Sequence, residues 1–174
     1  MTRTATSSPP SSICSRCHIS MDRSLREWFA SFWTEYLAKL QLDDQSLIPT
    51  EPAKSTNTYF PMPPNGAMAW ISAYIAQSQG RSGVYLTFAK AYEKGVSTYE
   101  QLESDRDAIE HEVGAKLSWE RSGSKIYVGV EGASFSDLNV PADRDKVTTY
   151  LADMTARMIR VFKPRLEAAV RISV

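Results

Sequence analysis

The sequence has almost no histidine. His18 stands near the amino terminus and His111 lies between Glu110 and Glu112, so no two imidazoles fall one helical turn apart. That excludes the H-E-x-x-H arrangement that seats zinc on a helix, and it leaves histidine-based nucleophilic or acid–base catalysis without its parts. Cysteine is as scarce. Cys14 and Cys17 both fall within the first 20 residues, so neither can staple the remainder of the chain. Net charge is missing too: 20 basic and 20 acidic residues cancel, which leaves no global field to gather a polyanion or to lie on an anionic membrane. No run approaches the roughly 20 consecutive apolar residues that cross a bilayer, and the amino terminus lacks the apolar core of a signal peptide. The expected compartment is the cytoplasm.

What is present is ordinary globular usage. Hydrophobic residues make up 43% and charged ones 23% of 174, which suits one domain with its own core. Residues 1–21 are rich in Ser, Thr, Pro and Arg without an apolar period and are expected as a disordered tail, with Met21 an alternative start; residues 22–174 form the domain. Within the tail, Cys14-Ser15-Arg16-Cys17-His18 has the spacing of covalent haem attachment. Haem needs export and a burying fold, and zinc needs four ligands where this loop offers three. The pair is read as incidental thiols, and no cofactor or metal is expected.

Residues 97–131 organise the rest. Ser97 and Glu100 have capping-box spacing, which predicts a helix start at Ser97. Tyr99, Leu102, Ile109 and Val113, with Arg106, then recur along one side, while Glu103, Asp105, Asp107, Glu110 and Glu112 lie outside that row and are expected in water. Gly114 supplies the left-handed stop. Beyond it Leu117, Trp119 and Arg121 alternate with Ser118 and Glu120, and Ile126, Val128 and Val130 alternate with Tyr127, Gly129 and Glu131. The Gly-containing turn at 121–125 makes the two a hairpin.

The run Ile109-Glu110, Gly114, Leu117-Ser118-Trp119-Glu120, then a strand opening with Ile126 and a last helix ending in Phe162-Lys163-Pro164-Arg165-Leu166, resembles a bacterial family known as domain of unknown function 4268. The likeness extends more loosely over about residues 25–170. It implies no established activity. Members often follow a nuclease-like domain in the same chain, and none is read ahead of this one.

The other segments are placed around that centre. Ser24 and Glu27 repeat the capping-box spacing ahead of a wide arc of Leu25, Trp28, Phe29, Phe32, Trp33, Tyr36, Leu37 and Leu40. Such an arc fits a helix pressed between a sheet and another helix, or a protein-partner or homodimer surface. Residues 42–67 carry five prolines and read as a long loop. Alternation at 68–77 and 84–88 around a turn at 78–83 predicts another hairpin; its glycines lack the Gly-Lys-Ser/Thr ending of a phosphate loop. The last helix begins after Pro141 with Val147, Tyr150, Leu151, Met154, Met158, Val161 and Phe162 on one face. Its end is basic, with Arg157, Arg160, Lys163, Arg165 and Arg171 against Glu167. Those cations suit the helix dipole, or phosphate contact, which makes Arg157, Arg160, Lys163 and Arg165 the candidate nucleic-acid residues.

A nuclease site of the acid-x-Lys kind would need a carboxylate two residues before Lys90, where Phe88 stands. Glu112 and Lys116 straddle a helix exit instead. The order helix, hairpin, helix, hairpin, helix predicts an α+β fold, a mainly antiparallel sheet from two hairpins with helices packed on one face. The expected role is a non-catalytic binding or interaction module, associated with nucleic-acid enzymes on the strength of the resemblance. The alternatives are a metal-dependent enzyme gathering Glu110, Glu112 and Glu120, and a homodimeric scaffold built on the aromatic first helix.

Overall fold

A computed structural model describes residues 15–63, 66–89, 93–123 and 125–171, the side chains of 15–22, 93 and 125 excepted. Period-2 alternation does give strands where hairpins were expected: β2 (Ala69–Ala76) with β3 (Arg81–Phe88), and β4 (Ser118–Ser122) with β5 (Lys125–Glu131). A further strand, β1 (Asn57–Pro61), falls inside the stretch expected as loop and pairs antiparallel with β2. It sends Thr58 and Phe60 inward and Tyr59 and Pro61 outward, and as an edge strand it tolerates a proline. The sheet has five strands in the order β1-β2-β3-β5-β4, every pairing antiparallel.

Register sorts the two faces. Ile71 opposes Leu86, which opposes Val128, and Ala73 opposes Val84; all are buried. This inward face takes the helices. From α1 (Ser15–Lys39), Tyr36 meets Phe60; from α2 (Glu93–Ser104), Tyr99 meets Phe88; and α4 (Pro141–Arg171) crosses β2 and β3. A short α3 (Arg106–Val113) follows α2 and packs on α4.

Several boundaries differ from expectation. The backbone of α1 is helical from Ser15, within the stretch read as tail, and runs straight through Ser24 and Glu27, so no helix start forms there. Its aromatic arc faces inward: Phe29, Phe32, Trp33, Tyr36 and Leu40 are buried between sheet and α4, while Leu25 stays half exposed. Polar groups seal the α1–α4 seam, with Arg144 bonded to Glu35 at 2.8 Å and lying over the Trp28 ring at 5.4 Å. Lys39 Nζ donates to Asp145 Oδ1, Thr148 Oγ1 and Thr149 Oγ1. The middle of the arc is thus taken up within the fold, with Trp28 and Leu37 half-buried at its edge.

The second helix starts at Glu93 and not at Ser97, whose hydroxyl donates back to the Lys94 carbonyl inside the helix; Glu100 pairs with Arg121 across to β4. A break at Asp105 separates α2 from α3. Gly114 ends α3 at φ 73°, its N–H donating to the Glu110 carbonyl at 2.9 Å. A Gly114→Ala variant forces a Cβ into that left-handed conformation and is expected to lose about 1–2 kcal/mol, read as a lower urea midpoint at unchanged slope. The last helix does not stop near Leu166 but continues through Pro164 to Arg171. Pro164 has no N–H for the Arg160 carbonyl, and one residue on the Arg165 guanidinium donates to the Val161 carbonyl at 2.9 Å.

Candidate functional site

The basic residues of α4 do not form a free cationic patch. Arg157 pairs with Asp153 at 2.9 Å, Lys163 with Asp44 at 2.6 Å, and Arg165 grips both oxygens of Glu112 at 2.6 and 3.0 Å. Arg160 lies 3.9 Å from Asp43, and Glu167 is shared by Lys163 and Arg171. Each candidate nucleic-acid residue therefore has a carboxylate within reach, and Lys163 and Arg165 tie α4 to the 40–48 loop and to α3. Lys163 and the Ser46 hydrogen bonds hold the Asp44 carboxyl down to about 2, while Asp44 raises Lys163. A depressed carboxyl stabilises the fold above its ordinary pKa near 4 and loses that contribution as pH falls toward 2. Carboxyl-carbon NMR should show Asp44 titrating near pH 2 and moving part of the way back to the ordinary range in Lys163→Met, where the Ser46 hydrogen bonds remain.

The family-like residues are mostly consumed by packing. Ile109 and Leu117 are buried. Glu110, expected in water, instead accepts the Trp119 indole N–H at 3.1 Å with Arg106 at 3.6 Å, and so fastens α3 to β4. Trp119 packs 6.1 Å from Tyr99, whose hydroxyl donates to Glu103. Glu110→Ala orphans a part-buried indole donor and should cost about 1–3 kcal/mol in a denaturant titration; Glu110→Gln, which still offers an acceptor, should cost under about 1 kcal/mol. Glu112 is spent on Arg165, and Glu120 lies on the other face of the sheet from Trp119. Among the described residues no three His, Cys, Asp or Glu side chains gather to hold a metal ion. Phe88 is buried in β3 and His111 is exposed; Lys90, Cys14 and the side chains of Cys17 and His18 lie outside the described residues.

The face of the sheet away from the helices is lined with aromatics. Tyr59, Trp70, Tyr74, Tyr85 and Tyr127 occupy its outward positions, with Ser72, Thr87, Gly83 and Gly129 between them. Tyr59 is 53% exposed and the other four aromatics are half-buried. Three tyrosines step diagonally across adjacent strands. Tyr74 opposes Gly83 and leans on it, and Tyr85 opposes Gly129 and leans on it in turn; a Cβ on Gly129 would fall inside the Tyr85 ring. Tyr74 and Tyr85 stack at 5.1 Å and 21° and share a hydrogen bond at 3.3 Å, and Tyr127 meets Tyr85 edge-on at 5.1 Å. Burial, then Tyr74, raise the Tyr85 hydroxyl well above its ordinary pKa; burial, then Tyr85, Glu120 and Glu131, raise Tyr127. Charges stay at the rim. Arg81 bonds Gln79 and Glu131, and Glu120 stands opposite Tyr127 at the other end of the row. Sequence reading missed this row, although Trp70 and Tyr74, and Tyr127 and Gly129, already shared the outward phase of their strands.

The architecture is that of an α+β domain, a five-stranded antiparallel sheet backed by helices on one face. Its sequence matches the family Domain of unknown function (DUF4268) over residues 30–166, and the chain belongs to that family. No curated protein and no solved structure matches it. Among the described residues no helix is long and apolar enough to cross a membrane.

Proposed function

We propose that the protein is a non-catalytic interaction module that binds another protein through the open face of its sheet. One observation carries this reading: the centre of that face is tyrosine and tryptophan without a charged side chain, while Arg81, Glu120 and Glu131 stand at its margin. Charge-depleted, Tyr- and Trp-rich centres with charged rims are what distinguishes protein contact surfaces from the rest of a protein's exterior. The α4 cations support a nucleic-acid contact less well, because a bound phosphate would have to displace the carboxylates already beside them. The family resemblance makes nucleic-acid enzymes the first class of partner to examine.

The test is comparative co-purification from a native host. Wild type, a Trp70→Ser/Tyr127→Ser variant and an Arg157→Ala/Arg160→Ala/Lys163→Ala variant are compared at equal folded amounts. Loss of a partner in the first variant and its retention in the second is the expected result. The reverse pattern, or binding of short DNA at low salt that disappears with the α4 variant, moves the contact surface to α4 and overturns the proposal.

A further inference from the structure

Glu120 differs from the other described glutamates of α2, α3 and β4. Glu100 is paired with Arg121, Glu103 with Tyr99, Glu110 with Trp119 and Glu112 with Arg165. Glu120 is half-buried at the end of the tyrosine row and has no hydrogen bond or ion pair to any described residue. A half-buried carboxylate has surrendered part of its hydration, and an incoming cation would restore what was lost. The rings beside it add to this, since the face of an aromatic ring is its negative pole and attracts ammonium and guanidinium groups.

Glu131 flanks the row from the other side, next to the Gly83 position over which Tyr74 lies. It meets Arg81 at 3.4 Å with both groups mostly exposed, a pairing too solvated to close the site. Arg81 is already bonded to Gln79, and Lys125 stands two residues before Tyr127 in β5, in the same outward phase, paired with Ser122 at the turn. Burial first, then Tyr85, and only after them Glu120 and Glu131 keep the Tyr127 hydroxyl protonated. A polyanion would meet two carboxylates here. A cation meets them and the rings together.

We infer that the segment seated on this face is positively charged, an arginine or lysine side chain of the partner protein lying over Tyr85 and Tyr127 between Glu120 and Glu131. The inference rests on the open face being the contact surface and adds the chemistry of its occupant. Charge complementarity selects the basic segment over a nucleic acid, and the unpartnered Glu120 selects the end of the row at which it is anchored.

Two short peptides serve as probes on the full chain, Gly-Gly-Arg-Gly-Arg-Gly-Gly with blocked ends and its Glu-for-Arg counterpart, beside a single-stranded oligothymidine. Amide NMR shifts are followed at Glu120, Tyr127 and Gly129. The Arg peptide is expected to move these resonances in a salt-sensitive way, with affinity falling about tenfold in Glu120→Gln, while the Glu peptide and the oligonucleotide leave them in place. Equal effects of the two peptides, undiminished binding by Glu120→Gln, or binding of the oligonucleotide instead each overturn the inference. So does a sedimenting dimer that Glu120→Gln leaves intact and Trp70→Ser/Tyr127→Ser dissolves, because a second copy then covers the face. If the co-purifying partner is lost with Trp70→Ser/Tyr127→Ser but kept by Glu120→Gln, the open face remains the contact surface and its cationic occupant is refuted.

Discussion

Trp33→Ala is expected to remove much of the protein's stability, about 4–6 kcal/mol. The side chain is wholly buried, packed edge-on between Phe32 and Tyr36 at 5.0 and 5.2 Å, and its indole N–H donates to the Ser55 carbonyl at 2.7 Å. Truncating a buried tryptophan costs roughly 3–5 kcal/mol through lost transfer energy and the cavity left behind, and the stranded carbonyl adds about 1 kcal/mol. Domains have about 5–15 kcal/mol to lose, so the variant should sit near its unfolding threshold, with its thermal midpoint lower by roughly 10 °C or more. Urea titration measures this directly if the slope stays constant. Trp28→Ala is the control: Trp28 lies in the same arc but only half-buried, its indole bonded to Asn139, and its loss should cost well under half as much. Equal and small costs for both would mean that the arc faces outward.

That comparison shows where a sequence is legible and where it is not. The aromatic arc was plain from spacing, but inward burial and outward docking demand the same side chains, and the choice depends on whether a sheet and α4 lie opposite. The hairpins β2–β3 and β4–β5 were legible because each strand alternates over its own length and its partner follows after a turn. Strand β1 was not, since five residues that end in a proline carry two inward side chains and too short a period to notice. Both expected capping boxes failed for one reason. Ser and Glu three apart also occur inside a running helix, where the serine hydroxyl donates a hydrogen bond back to a carbonyl and the glutamate finds a distant partner, as Ser97 and Glu100 do.

The tyrosine row was hidden by register. Its members were visible singly, yet Tyr85 meets Gly129 only because β5 pairs with β3 across two intervening helices and β4, and nothing local specifies that pairing. The α4 cations show the converse. Their run is conspicuous in the sequence, but Asp43, Asp44 and Glu112, which balance them, come from distant segments. A charge run read along the chain overstates its field whenever the fold returns counter-charges from elsewhere.

Tyr36→Phe is expected to be less stable than wild type at neutral pH and more stable in alkali. The Tyr36 hydroxyl is fully buried and donates to Thr155 Oγ1 at 2.9 Å, so the substitution keeps the ring packing and costs about 1 kcal/mol for the lost hydrogen bond. Burial pushes this hydroxyl far above its ordinary value near 10, while the unfolded chain keeps that ordinary value. A raised folded pKa means that stability is whole below about pH 10 and drains away as pH climbs toward the folded value, because the unfolded state alone ionises and gains from it. The drain from this one group is about 1.4 kcal/mol per pH unit above 10. Burial also raises Tyr99, to about 12, and Tyr150, but these and the row tyrosines titrate alike in both proteins and cancel in the difference. The two stability curves should therefore cross near about pH 11, an outcome read from urea midpoints taken at half-unit steps from pH 7 to pH 11.5. A gap that stays constant across that range would mean that Tyr36 ionises within the fold, which a side chain sealed between α1, α4 and Phe60 cannot do.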